Sequence, residues 1–295
     1  MSRPVTVGVD GSEGSVAALD WAADEAELRG TGLRLVYATR WAQHQLGAMR
    51  VSHEDRAGDA VGVLAAAEQR VRDRRPDLTV TADEIEDAPN SVLLGAAAEA
   101  DLLVVGSHGL GGVRGFIVGS VGQEVVADSK RPVVLVRPGN KESGAGATEG
   151  RDRRKVVLGL DVTEVKDELM EFAFDFARRH GVMLEIVHTW HAPFTQHAPF
   201  TQHAPFTQRH KAVEDADMAS ALSHAVRPYR ETFPAVEVSE VSAPGRAAEH
   251  LVEAVSDARL VVVGRRRAAR GSHIGSVTHA LIHHASCPVA VVPHS

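Results

Sequence analysis

The residues best suited to chemistry lie between Val104 and Val125, in VVGSHGLGGVRGFIVGSVGQEV. An aliphatic run ends at Gly106, a glycine-rich loop follows, and a helical pattern opens at Gly119-Ser120. A strand–loop–helix junction of this kind presents backbone N–H groups and the positive end of a helix dipole, which suits phosphate. Two residues separate Gly106 from Gly109, nine separate Gly109 from Gly119, and Ser120 follows at once. Gly106 and Gly109 let backbone approach a ligand without a Cβ clash. Gly119, Ser120 and Val121 offer amides at a helix start, and the Ser120 hydroxyl adds a donor. A phosphate loop of the Gly-x4-Gly-Lys type is excluded, because no lysine lies between Gly106 and Ser129. A dinucleotide fingerprint is excluded too, since Arg114 occupies its third glycine position and the loop follows a fourth strand rather than a first.

Other polar residues fall around this loop. Asp10 ends the first apolar run, where its carboxylate can accept a hydrogen bond from an exocyclic amine or cap the helix that follows; Ser12 is the better cap. His108 and Arg114 can each reach a phosphate or remain solvated. No general base and no Ser/His/Asp grouping stands out, so the pattern points to binding, with no catalytic residue assigned.

The elements that must position these residues alternate strand and helix. The predicted order is strand 5–10, helix 13–29, strand 33–38, helix 52–74, strand 79–85, helix 91–100, strand 102–106, helix 118–129 and strand 132–136. Strands that are apolar throughout and separated by helices imply a parallel sheet covered on both faces. The order then repeats. Gly8, Asp10, Trp21, Ala26 and Gly30 align with Gly159, Asp161, Phe172, Ala177 and Gly181, and PVVLV at 132–136 answers PVAVV at 288–292. The chain therefore divides into a first half at 1–137, a polar linker at 138–154 and a second half at 155–295.

The second half departs from the pattern at its loop, GRRRAARGSHIGS. Gly264 keeps the first place, Arg267 replaces the second glycine, and the stretch from Gly264 to Gly275 is two residues shorter than that from Gly106 to Gly119. Arg265, Arg266, Arg267 and Arg270 form a dense positive run that can pair with phosphate or simply be solvated. The threefold HAPFTQ at 191–208 reads as a duplication in a tolerant surface loop, without helical periodicity. His279 and His283 have the i, i+4 spacing of a zinc pair, but with no obvious further ligand they read as a helix face, and no metal is assigned.

The glycine spacing, the strand-ending Val-Gly-Val-Asp-Gly-Ser and the closing Pro-Val-Val-Leu-Val strand together resemble a tandem universal stress protein of the ATP-binding branch. The resemblance implies two Rossmann-like domains of the adenine nucleotide alpha hydrolase-like kind, each a five-stranded parallel sheet in the order 3-2-1-4-5. Strands 1 and 4 would then flank the topological switch point, where ligands of open α/β sheets bind. It also implies that Asp10 and the backbone at Ala38 contact adenine and that the ligand is ATP, with ADP or AMP as alternatives and magnesium as a companion ion. The implied role is in the stress response; a nucleotide hydrolase or transferase, and an interaction module with a structural nucleotide, are the alternatives. Domains of this family pair through the last strand, so the two halves are expected to form an intramolecular pseudo-dimer, with any homodimer using another surface.

Composition narrows the partners. Lys and Arg number 32 against 39 Asp and Glu, a net charge of −7, which argues against nucleic acid. No apolar stretch spans a membrane and no signal-peptide core precedes the first strand, so a cytoplasmic setting is expected. Cys287 is the only cysteine and reads as a small buried side chain.

Overall fold

The computed structural model describes residues 3–39, 54–107, 119–138, 155–190, 205–267 and 274–295. The first half runs β1 (Val5–Gly8), α1 (Glu13–Arg29), β2 (Leu33–Ala38), α2 (Glu54–Arg74), β3 (Val80–Ile85), α3 (Pro89–Glu99), β4 (Leu102–Gly106), α4 (Ser120–Asp128) and β5 (Val133–Val136). The second runs β6 (Lys155–Gly159), α5 (Asp167–His180), β7 (Met183–Trp190), α6 (Pro205–Thr232), β8 (Val238–Pro244), α7 (Ala247–Ala254), β9 (Ala258–Arg266), α8 (Ser276–His284) and β10 (Val289–His294).

Local chemistry sets these boundaries. Ser12 caps α1 by accepting from the Ser15 N–H at 3.2 Å. Gly30 closes the helix in the left-handed region at φ 62°, and Thr31 N–H returns to Ala26 O at 3.0 Å. Gly181 ends α5 in the same way at φ 61°. The HAPFTQ repeat is a partial correction: its last four residues, 205–208, begin α6 rather than continuing a loop, and 191–204 lie outside the described residues.

Each half has the strand order 3-2-1-4-5, but the two five-stranded sheets are not separate. The order is β3-β2-β1-β4-β5-β10-β9-β6-β7-β8, one sheet of ten strands. All pairings are parallel except β5 with β10, which run antiparallel with Val134 opposite Ala290. Strand edges attract pairing, and here the two apolar last strands cover one another. Two hydrophobic layers cover the sheet, and each runs through both halves. One contains α1, α2, α5 and α6 residues such as Leu19, Phe174 and Val226; the other contains Val125, Leu251, Leu281 and the buried Cys287.

The halves also meet through α1 and α5. Trp21 stacks on Phe176 with ring centroids 6.2 Å apart. Glu25, only 1% exposed, receives Arg29 at 2.6 Å and His180 of the second half at 2.8 Å. Two buried arginines cross the junction to cap helices of the opposite half. Arg137 donates to Ile282 O at 2.7 Å near the end of α8, and Arg265 donates to Ser129 O at the end of α4. A cation suits a helix C-terminus, although burial pushes both guanidinium pKa values down.

Candidate functional site

The C-terminal ends of β1 and β4 lie side by side at the switch point of the first half. Just past β1, the Asp10 carboxylate accepts from the Ser12 N–H at 3.0 Å, so it shapes the turn into α1. Gly11 makes that turn at φ 79°, a conformation that favours glycine. Ala38 ends β2 beside β1 and is buried. Gly119 is the N-cap of α4, extended at φ −61° and ψ 161°, and as a glycine it supplies no side-chain cap to the amides that begin with Ser120 and Val121. The first amides of a helix have no intrahelical partner, so they remain available to an anion. Gly109, His108 and Arg114 lie outside the described residues.

Gly106 has a second reason to be glycine. A Cβ there would stand 2.3 Å from Gly14 C and 2.4 Å from Gly14 O, inside the backbone of α1. Reciprocally, a Cβ on Gly14 would meet Ser107 O at 2.7 Å. The end of β4 and the start of α1 are thus in backbone contact, which holds the Asp10 turn against the loop.

The second half builds its switch point differently. Asp161 accepts from the Thr163 N–H at 2.9 Å and from the Thr163 hydroxyl at 2.7 Å. Partial burial pushes its carboxyl pKa up, but the Thr163 bonds, His188 and Arg266 outweigh that and hold it below the ordinary aspartate value. Gly275, Ser276 and Val277 repeat the uncapped helix start, with Gly275 at φ −60° and ψ 155°. Gly264 faces side chains instead of backbone: a Cβ would meet the His294 ring at 2.9 Å and Leu169 at 3.3 Å. A cavity of about 360 Å³ remains, lined by Asp161, Glu164, Thr189, Thr278 and His294 among apolar residues.

The expected arginine patch does not form among the described residues. β9 extends to Arg266, beyond the predicted strand end at Gly264. Successive strand residues point to opposite faces. Arg265 is therefore buried against Ser129 O, while Arg266 pairs with Glu164. Arg267 lines a separate cleft between the halves, together with Lys130, Arg131 and Tyr229. Arg270 lies outside the described residues. His279 and His283 pack ring to ring at 4.5 Å on α8, and among the described residues no group of three or more side chains suits a metal ion. No described helix is long and apolar enough to cross a membrane. Sequence reasoning missed His294 and the Glu25–His180 pair: His294 follows the repeated strand without a histidine at the matching place, and both contacts join residues far apart in the chain.

A doubly wound α/β unit with a glycine-lined switch point, present twice in one sheet, defines the class. Residues 1–137 and 152–293 each match the Universal stress protein family. A universal stress protein of Mycobacterium tuberculosis is 30% identical over 316 aligned positions, covering 100% of both chains. A universal stress protein of Archaeoglobus fulgidus shares the fold at 16% identity and a TM-score of 0.68, covering 99% of this chain and 98% of its own. A shorter universal stress protein solved in complex with cAMP matches 47% of this chain, at 27% identity and a TM-score of 0.36. The chain belongs to the universal stress protein family.

Proposed function

We propose that the first half binds an adenine nucleotide, ATP or its products ADP and AMP, and that the chain uses this binding in a regulatory stress-response role without strong catalysis. The observation that carries the reading is the uncapped start of α4 at Gly119-Ser120-Val121, which follows a strand whose neighbour β1 leads directly into the Asp10 turn. Exposed helix amides suit the phosphates; the Asp10 carboxylate and the backbone at Ala38 suit the exocyclic amine and ring edge of adenine. Gly106 and Gly109 frame the loop between them, and magnesium enters as the counter-ion of a triphosphate. The domains are read as 1–137 and 155–295 joined by 138–154, with the β5–β10 pairing making the chain an intramolecular pseudo-dimer in the cytoplasm.

Titration calorimetry with ATP tests the reading. One nucleotide per chain is expected, and Gly109→Trp should abolish it while thermal unfolding stays cooperative. Unchanged affinity in that variant places the phosphates elsewhere.

A further inference from the structure

A cleft of about 720 Å³ opens between the halves. Its walls come from the starts of β4 and β5 in the first half and from α5, the end of α6 and the end of β9 in the second. It lies at the opposite end of β4 from the first switch point and shares no lining residue with the second-half cavity. The volume is within the range of small-molecule sites. Its aromatic wall is already fixed by the fold. Tyr229 donates its hydroxyl to Asp167, and Phe174 packs against Tyr229 and Phe233 with ring centroids 5.9 Å and 5.4 Å apart. Phe172 stacks on Phe176 at 6.5 Å.

The charges of the lining fall into two sets. Some are paired: Arg179 with Asp175 at 2.7 Å, and Arg29 through Nε with Glu25 and through Nη1 with Asp101. The Arg29 side chain is only 8% exposed, and these two bonds leave its Nη2 without a partner among the described residues. The other set has no ion pair among the described residues. It comprises Lys130 and Arg131 on the turn before β5, Arg267 after β9, and Glu168 and Glu171 on α5. Opposite charges thus face one cleft without meeting. A simple anion would gain the cations but lie near two free carboxylates, and a simple cation would meet the reverse. A ligand that carries both charges, held apart, satisfies both sets.

We propose that this cleft binds a small zwitterion whose carboxylate and ammonium are separated by a short apolar spacer, as in an ω-amino acid. The carboxylate pairs with Arg29 Nη2, Arg131 and Arg267, because guanidinium groups match carboxylate geometry. The ammonium takes Glu168 and Glu171, and the spacer lies on Phe172 and Phe233. Lys130 adds to the field that draws the carboxylate in. The proposal does not rest on the nucleotide reading, since no cleft residue belongs to the first-half crevice.

Calorimetry on the full chain tests it, with 4-aminobutanoate, 6-aminohexanoate and 8-aminooctanoate as probes and with hexanoate and hexylamine as singly charged controls. At least one amino acid of the series should bind at one per chain, and both controls should bind about tenfold more weakly or worse. Arg267→Gln and Glu171→Gln remove exposed charges from opposite walls. Each should weaken the zwitterion about tenfold, while the melting curve and the ATP stoichiometry stay those of the parent. Glu171→Gln should also narrow the gap between the zwitterion and hexanoate, which a merely structural role for Glu171 would not do. The proposal is overturned if no member of the series binds, if either control binds as tightly as the best zwitterion, or if both variants keep the parent affinity. If ATP binds nowhere while the zwitterion still depends on Arg267 and Glu171, the first-half reading fails and this one stands.

Discussion

Gly106 and Gly264 occupy the same place in the two halves, yet each is held by different matter. Gly106 abuts the backbone of α1, and Gly264 abuts the rings and methyls of His294 and Leu169. The difference begins at the helix start. α1 opens at Glu13, three residues after Asp10, while α5 opens at Asp167, six residues after Asp161. The later start leaves a gap at the second switch point, and side chains fill part of it. A repeated fold therefore need not repeat its site: moving one helix start changes a rigid backbone wall into an adjustable side-chain wall.

The largest expected effect comes from adding atoms to those walls. Gly106→Val should cost more than about 3 kcal/mol, because backbone cannot yield without shifting α1. Gly264→Ala should cost roughly 1 kcal/mol or less, since a ring and a leucine terminus can turn aside. Urea unfolding of the two variants measures the contrast. Equal costs would show that the second wall is as rigid as the first.

The helices that join the halves extend the comparison. The repeat alignment sets Glu25 of α1 opposite Phe176 of α5, so one contact helix buries a carboxylate where the other buries a ring. Burial pushes the Glu25 carboxyl pKa up, but hydrogen bonds and charge from His180 and Arg29 overcome this and hold it below 4.5, the ordinary value. A folded-state pKa below the unfolded one stabilises above the unfolded value and ceases to do so as pH falls through the folded value. Glu25→Gln should thus cost roughly 2 kcal/mol at pH 7, with the deficit shrinking as pH drops below about 4. Unfolding curves at neutral and acid pH decide the matter; a pH-independent deficit would mean that packing, not charge, holds the pair.

The parts legible in sequence were those written in local pattern. The spans Glu13–Arg29, Leu33–Ala38 and Leu102–Gly106 follow from apolar spacing, Ser12 and Gly30, and the structure has those bounds. Edge residues were less legible: β1 ends at Gly8 rather than Asp10, and α3 starts at Pro89 rather than Ser91, because ends depend on contacts beyond the local pattern. The arginine run was misread for a specific reason. Treated as loop, Arg265 and Arg266 share one surface; as strand, they must point to opposite faces. The reason for glycine at 106 was hidden because α1, which presses on it, lies about ninety residues earlier in the chain. His294 could be assigned only when β10 was set beside β9, with Arg266 as its register partner.

The smallest effect concerns how the two contact helices begin. α1 has Ser12 as N-cap, with its Oγ accepting from the Ser15 amide, whereas α5 has Lys166 and no side-chain cap. Lys166 is extended at φ −123° and ψ 128°, a conformation that serine adopts readily. Its ammonium lies 3.6 Å from Glu164, a partly exposed pair that contributes little. A positive charge also opposes the dipole at a helix start. Lys166→Ser should therefore stabilise the chain by about 0.5–1 kcal/mol, and Ser12→Ala should destabilise it by about 1 kcal/mol. Paired thermal melts measure both. If Lys166→Ser brings no gain while Ser12→Ala brings the expected loss, the turn between Asp161 and Lys166 already satisfies the first amides of α5, and the two helix starts are more alike than their caps indicate.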